Sequence, residues 1–556
     1  MTAKQDLTIP IEGMTCDHCA RGIDAALAKL PGVESSFTSF EAGQANVSLG
    51  SDASLDQVHA AIEGLGFTVI RGGKHAQPRS ESGAGELEES RDGIDLLIIG
   101  GGSAAFAAAI RASELGKSAA IVERGALGGT CVNVGCVPSK TLIRAAEAHH
   151  RATRHGFDGV RAKAEPVDFR AVIEQKRSLV AELQQAKYWD VLAAYPDIEL
   201  IRGVARLDRA GRVWVDGKHI AAKNVLIATG SRPAVPSIPG LSETRYLTST
   251  SAMELEVLPK RLVVLGAGYV GLELGQTFAR FGSQVTVIAR SRLLSREETS
   301  ISEALAGYLR DEGVNVLMDA SVTEVAKVGD ELRITVSGAD GSTTVFADEL
   351  LIATGRVANT ESLGLAEAGI EIRADGTIAV DEKLQTSRPG FYAAGDVIGE
   401  PAFVYVAAYA GRLAASQALA PDDAPAYDTS VIPAVTFTDP QVASVGLTEA
   451  QAMAKGVDVL ATTLAMTHVP RAIAARDTRG HIKLVADKKT RKLVGAHILA
   501  PEAGDLIEQA VMAIRFGIDI DQLASLMHPY LTNSEAIKLA CQTFNKDVAK
   551  LSCCAA

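Results

Sequence analysis

Apolar and polar positions alternate with a period of two over residues 7–11. Residues 20–30 then carry an amphipathic helical pattern that stops at Pro31-Gly32. Two further strand patterns, 35–40 and 44–49, can pair across Glu41-Ala42-Gly43. A second helix is expected over 55–65, closed by Gly66 before a last strand over 67–70. The opening module thus reads strand, helix, strand, strand, helix, strand. Residues 72–93 lose nearly all apolar content in favour of Gly, Ser, Glu and Arg, which predicts a flexible linker. Patterning resumes with a continuous apolar run at 94–99, a Gly-rich turn, a helix to Gly116 and a strand ending at Glu123. The same order returns from residue 262, its second strand ending at Ala289-Arg290.

Composition narrows the class. A chain of 556 residues is long enough for several domains, and 47% hydrophobic with 22% charged residues is globular. A formal charge of −12 argues against a nucleic-acid partner, which calls for a basic face. The first residues, Met1 to Asp6, lead into a strand pattern and show no secretory h-region. No apolar run is long enough for a membrane span, so no membrane insertion is expected. Six of the 7 cysteines fall into close pairs: Cys16 with Cys19, Cys131 with Cys136, and Cys553 with Cys554. Such pairs suit a reducing cytoplasm and functional thiols better than a disulfide framework.

Each pair carries its own chemistry. Cys131 and Cys136, in Gly128-Gly129-Thr130-Cys131-Val132-Asn133-Val134-Gly135-Cys136-Val137-Pro138-Ser139-Lys140, lie at the start of an expected helix. The unpaired N–H groups there favour a thiolate. A redox-active dithiol is the reading, against a structural disulfide or two buried thiols. Cys16 and Cys19 sit in Gly13-Met14-Thr15-Cys16-Asp17-His18-Cys19, between a strand and a helix. Two thiolates on such a loop suit a soft, low-coordinate ion such as Hg(II) or Cu(I), with a thioredoxin-type redox pair as the rival. The adjacent Cys553 and Cys554 offer a mobile dithiol on a tail. Cys541, among Leu539 and Ala540, is expected to be a small buried apolar residue.

Two Gly-rich turns carry the cofactor reading. Gly100, Gly102 and Ala105 open the first helix, and Glu123 stands at the distance of a ribose-binding acid. Gly266, Gly268 and Gly271 repeat the turn, but the place of Glu123 is taken by Ala289, with Arg290 and Arg292 alongside. An acid there would repel a 2′-phosphate and arginines would accept one, so NADPH is the expected donor.

The dithiol stretch, both turns, Tyr392-Ala393-Ala394-Gly395-Asp396 and Pro433-Ala434-Val435-Thr436-Phe437-Thr438-Asp439-Pro440 resemble the flavin disulfide reductases over residues 94–556. The opening module resembles the small heavy-metal-associated domains. Two departures narrow the family further. His528-Pro529 is followed by Tyr530, and Glu535 falls two positions late for the His/Glu proton dyad of glutathione- and lipoamide-type reductases. The chain also ends in a cysteine pair. Together these resemble the mercuric reductase family. The implied fold is α/β: two Rossmann-like dinucleotide-binding domains, an α+β dimerisation domain and an amino-terminal βαββαβ ferredoxin-like domain. Expected bounds are 1–71 for the metal module, 94–240 with 361–429 for FAD, 241–360 for NADPH, and 430–556 for dimerisation.

The resemblance also implies roles. Electrons pass from NADPH through FAD to Cys131 and Cys136, which reduce Hg(II), the substrate, to Hg(0). Lys140 and Glu273 pair beside the flavin, Tyr269 moves at its face, and Tyr188 and Tyr530 assist metal transfer. Gly125, Thr130, Ala205, Asp396 and Val404 complete the FAD contacts. Hg(II) is relayed from Cys16 and Cys19 to Cys553 and Cys554 and then to the inner pair, across a homodimer with shared active sites. Hg(II)–thiol complexes, and a mercury transporter as donor, are the expected partners. The rivals are another disulfide or dihydrolipoamide oxidoreductase carrying a metal module, and a metallochaperone with a vestigial reductase body.

Overall fold

The computed structural model describes residues 5–12, 23–24, 26–27, 29–39, 44–50, 54–64, 67–69, 93–339 and 341–547. Cys16, Cys19, Cys553, Cys554 and residues 72–92 of the expected linker lie outside them.

In the amino-terminal module, the period-two pattern gives strands Gln5–Glu12, Val33–Ser39, Gln44–Leu49 and Thr68–Val69. They form one sheet in which the first strand lies between the third and the last. Register sets Leu7 opposite Val47, Ile9 opposite Ala45, and Ile11 opposite Val69. Ile9, Ile11, Ala45 and Val47 point inward and bury against Ile23, Leu27, Val58 and Ile62. The second helix, Leu55–Glu63, stops short of the expected end.

The chain divides into two compact units, each assembled from separated segments, the first beginning at Met1. The first holds a parallel sheet in the order Phe391–Ala393, Ala222–Ile227, Ile94–Ile99, Ala119–Glu123, Ile198–Arg202. Ile94–Ile99 is almost wholly buried, because helix Ser103–Glu114 covers one face and a second apolar cluster the other.

The second unit contains a parallel sheet of Asn315–Leu317, Gln284–Ile288, Arg261–Leu265 and Glu349–Ile352. It also contains a five-stranded antiparallel sheet of Ala434–Thr436, Gln441–Gly446, Leu493–Ala500, His481–Asp487 and Val459–Ala465. The expected α/β class with an α+β carboxy-terminal domain is observed. Residues Pro138–Arg177, placed by the sequence bounds with the flavin segment, belong to this second unit. Their apolar face (Leu142, Ala146, Phe169, Ile173) is buried in one cluster with Phe278 and Phe281. No helix among the described residues is long and apolar enough to cross a membrane.

One charged cluster ties helix Tyr269–Phe281 to the antiparallel sheet of the same unit. Gln276 and the backbone of Asp439 exchange two hydrogen bonds, 2.9 and 2.8 Å. Arg280, 4% exposed at its side chain, bridges Glu312 at 2.6 Å and Asp439 at 3.0 Å. Arg479 reaches the other Asp439 oxygen at 2.8 Å. Arg280→Met leaves two buried carboxylates short of their partner and should cost about 3–5 kcal/mol, measurable by denaturant unfolding. Burial pushes the Asp439 carboxyl up, but Arg479 and Arg280 outweigh it and hold the group below its usual range. Its stabilisation is complete above the unfolded value of about 3.9 and is lost as pH falls through the folded one. Asp439→Asn should therefore flatten the acid limb of the stability profile below about pH 4; an unchanged limb would assign that limb to other groups.

Candidate active site

The first unit gathers the dithiol, one glycine loop and one of the two expected tyrosines. The sequence pattern sets both cysteines at the start of one helix, but two are found: Gly129–Val134 carries Cys131, and Cys136 opens Cys136–Thr153. The break is at Gly135, where a Cβ would stand 2.8 Å from the Thr130 carbonyl oxygen. Cys136 therefore sits at the N-terminus of its own 18-residue helix. Both cysteines are half-buried.

Tyr188 reaches this site by a route the sequence pattern does not disclose. Helix Phe169–Gln184 widens into a π segment, Gln185–Trp189, before continuing as Asp190–Ala194. The ring packs edge-on against Phe106, with centroids 4.7 Å apart. Burial, with the charges of Cys131 and Cys136 adding to it, pushes the Tyr188 phenol up against the pull of a hydrogen bond with Ser103. A Cβ on Gly128, which caps the Cys131 helix, would come 3.2 Å from Tyr188 Cε2, and Ser103 opens the helix of the glycine loop.

That loop fits a dinucleotide. Gly100 has φ +115°, and a Cβ there would lie 2.3 Å from the Ala228 carbonyl oxygen. Gly102 precedes helix Ser103–Glu114, and Ala105 is fully buried beneath it. The N–H groups ahead of such a helix suit a pyrophosphate. Glu123 is held by its own loop: its two oxygens accept from Gly101 and Gly125 N–H, both at 2.6 Å. Lone pairs remain for a ribose hydroxyl. Beside it lies a cavity of about 220 Å³ lined by Gly100, Glu123, Arg124, Ala205 and Thr229. In the same unit Asp396 accepts from Ser231 Oγ at 2.7 Å. Val404 begins helix Val404–Leu419, and Thr130 lies in the Cys131 helix.

The second unit repeats the cradle. Gly266 has φ +113° and would set a Cβ 2.3 Å from Ala353 O, while Gly268 precedes helix Tyr269–Phe281. A Cβ on Gly271 would lie 2.1 Å from Gly266 O, so the alanine tolerated at 105 has no room here. Ala289 is buried. Arg290 is exposed, whereas Arg292 donates to Thr299 Oγ1 at 3.0 Å and Ser295 O at 2.7 Å. Of the two expected phosphate ligands, Arg290 thus has its side chain toward solvent, and Arg292 is engaged within its own loop.

Within this unit Lys140 Nζ meets Glu273 Oε2 at 2.7 Å, and Glu273 Oε1 accepts from Phe437 N–H at 2.9 Å. Lys140 also lies over the Phe437 ring, 4.6 Å from its centroid. Tyr269 is half-exposed at the start of its helix. Tyr530 is 53% exposed, next to Leu531 in the left-handed region at φ +62°. His528 Nε2 contacts Gln509 Oε1 at 3.1 Å. Glu535 is buried, with Oε2 lacking a hydrogen-bond partner among the described residues. Cys541 is buried, which pushes its thiol up to about 12.

Comparison with known proteins follows this geometry. Residues 94–411 match the family described as "Pyridine nucleotide-disulphide oxidoreductase". Residues 432–541 match its dimerisation domain, and 8–68 match the heavy-metal-associated domain. The chain is 43% identical over 548 residues to a mercuric reductase of Lysinibacillus sphaericus, covering 98% of this chain and 99% of that one. It is 49% identical over 474 residues to one of Streptomyces lividans, covering 84% and 99%. Among solved structures, the Cu(II) complex of the HOCl-induced flavoprotein disulfide reductase RclA from Escherichia coli superposes with a TM-score of 0.73 at 30% identity. It covers 82% of this chain and 100% of that one.

Glu273→Gln should keep the fold but loosen Lys140, since a neutral amide forms a weaker bond than a carboxylate. An upward change in the ease with which Lys140 is acylated by a small amine reagent, read by mass spectrometry, checks this.

Proposed function

Since the chain belongs to the mercuric reductases of the pyridine nucleotide-disulphide oxidoreductase family and is a flavin- and pyridine-nucleotide-using reductase of Hg(II), we propose that its flavin is FAD, its reductant NADPH and its inner metal site the Cys131–Cys136 pair. One observation supports this: Tyr188 packs against Gly128, the residue that caps the Cys131 helix, within the unit that also holds Cys136 and the Gly100 loop. The overall change is NADPH + Hg(II) → NADP⁺ + H⁺ + Hg(0). The Gly100 loop and Glu123 would hold FAD, which would supply the two-electron relay.

The remaining work falls to the chain's own groups. Cys131 and Cys136 hold Hg(II) as a dithiolate, and Tyr188 offers an oxygen contact during transfer, with Tyr530 as its counterpart from the dimerisation domain. Lys140, locked by Glu273, is assigned to flavin tuning on the family resemblance. Arg290 receives the 2′-phosphate, and Ala289 leaves that place without a repelling acid. His528, bound to Gln509, has no carboxylate partner among the described residues, which suits a metal product that takes no proton.

Delivery is by thiol exchange. Cys16 and Cys19 collect Hg(II) from thiol complexes or a membrane transporter, and Cys553 and Cys554 pass it to the inner pair of a homodimer. Each exchange forms one Hg–S bond and breaks one, and the displaced thiolate leaves. The setting is the cytoplasm, and the role is mercury detoxification.

NADPH oxidation should be rapid with an Hg(II)–thiol complex and negligible with oxidised glutathione or lipoamide; the reverse order would make the chain a disulfide reductase. Cys136→Ala should abolish Hg(II) reduction while FAD stays bound, and near wild-type turnover would remove Cys136 from the site. Ala289→Glu should weaken NADPH far more than NADH in steady-state constants. Replacing Cys553 and Cys554 by Ala should severely reduce activity on Hg(II)–glutathione at millimolar glutathione, with deletion of residues 1–71 costing less. Equal activity of the tail variant and wild type there would rule out the relay.

A further inference from the structure

Tyr188 lies in the π segment Gln185–Trp189, and the residue just before that segment is anchored by side-chain hydrogen bonds. Gln184 is the last residue before the π segment. Its side-chain Nε2 donates to the Leu127 carbonyl at 3.0 Å and to Asn133 Oδ1 at 3.2 Å. Asn133 Nδ2 in turn donates to the same Leu127 carbonyl at 2.8 Å. Three groups therefore close on one another: two side-chain amides and a carbonyl whose residue is 0% exposed.

The positions of these groups matter. Leu127 precedes the Gly128-Gly129 turn that launches the Cys131 helix, and Asn133 lies between the two cysteines. Gln184 stands four residues before Tyr188. The triangle thus ties the segment bearing the phenol to the segment bearing the sulfurs, while Phe106 packs edge-on against the ring. A Cβ on Gly128 would come 3.2 Å from Tyr188 Cε2, so the two segments are already in close contact. A loss of alignment at this distance is felt strongly in rate, because metal transfer between sulfur and oxygen ligands needs both in reach at once.

We propose that Gln184 and Asn133 are positioning residues for Hg(II) reduction, forming with the Leu127 carbonyl an amide clasp that holds Tyr188 against Cys131 and Cys136. The inference rests on the reading of that pair as the inner Hg(II) site. Neither amide touches the metal; both act through Tyr188.

A double-mutant cycle on the full-length holoenzyme tests this: Gln184→Met, Tyr188→Phe and the two combined, each assayed with NADPH and an Hg(II)–cysteine complex. FAD content and the thermal midpoint are measured alongside. Gln184→Met keeps the length of the side chain and removes its amide. With Tyr188 present it should lower kcat/KM roughly tenfold at unchanged FAD content; in the Tyr188→Phe background the same change should alter it less than about twofold. Losses that multiply in both backgrounds would overturn the clasp and leave the Hg(II) site standing. A Tyr188→Phe enzyme equal to wild type would overturn it too, since nothing would remain for the clasp to act through. Full activity of Cys136→Ala would remove the underlying reading instead. Should Gln184→Met fail to hold FAD, Asn133→Ala enters the same cycle from the other end, with the same coupling expected and the same additivity overturning it.

Discussion

A buried carboxylate needs donors, and Glu273, 4% exposed at its side chain, has two: Lys140 and the Phe437 amide. That constraint orders much of the second unit. Glu273, Gln276 and Arg280 recur at helical spacing on one face of Tyr269–Phe281, and each grips the segment around Phe437 and Asp439. The helix whose N-terminus forms the second glycine cradle is thereby locked to the antiparallel sheet and to the helix that bears Lys140. Removing Arg280 would leave the buried Glu312 and Asp439 carboxylates short of a partner, a costly way to weaken a core.

The parts of this arrangement that were legible in the sequence are those written in local pattern. Ile94–Ile99 and its glycine turn are found where the apolar run and Gly100 place them, because backbone sterics at φ +115° admit little else. The Lys140–Glu273 pair followed from resemblance, and the two side chains do meet. The π segment left no mark: Gln185-Ala186-Lys187-Tyr188-Trp189 carries neither Gly nor Pro, and the widened turn answers to tertiary packing. The break at Gly135 was available in principle, since a glycine between the cysteines is a natural stop. Arg280 with Asp439 joins residues 159 positions apart, as the bond from Arg280 to the Asp439 carbonyl records. The only sequence signal was a set of polar residues spaced by helical turns along an otherwise apolar helix. Arg292 looked as fit for a phosphate as Arg290; its capture by Ser295 and Thr299 depends on a loop shape that composition does not encode.

The two glycine cradles differ in a way that reflects their chemistry. Where the first has Glu123, clamped by Gly101 and Gly125, the second has buried Ala289 and a neighbouring exposed arginine. The clamp gives the first loop its shape from within, so a nucleotide meets a ready-made surface and little chain entropy is lost in binding it.

The interleaving of the two units has a consequence for how the chain is made. Arg111 is hydrogen-bonded to Ser416, 305 positions further on, across the contact of helices Ser103–Glu114 and Val404–Leu419. A nascent chain that has emitted strand Ile94–Ile99 must therefore wait for the greater part of synthesis before the helix that follows it finds its cover. Meanwhile two segments of the other unit, Pro138–Arg177 and Pro233–Arg356, emerge. Apolar surface on the Ser103–Glu114 helix stays exposed throughout, the condition under which large proteins collect on chaperones or on each other. Expression yield, more than final stability, is where this topology should exact its toll.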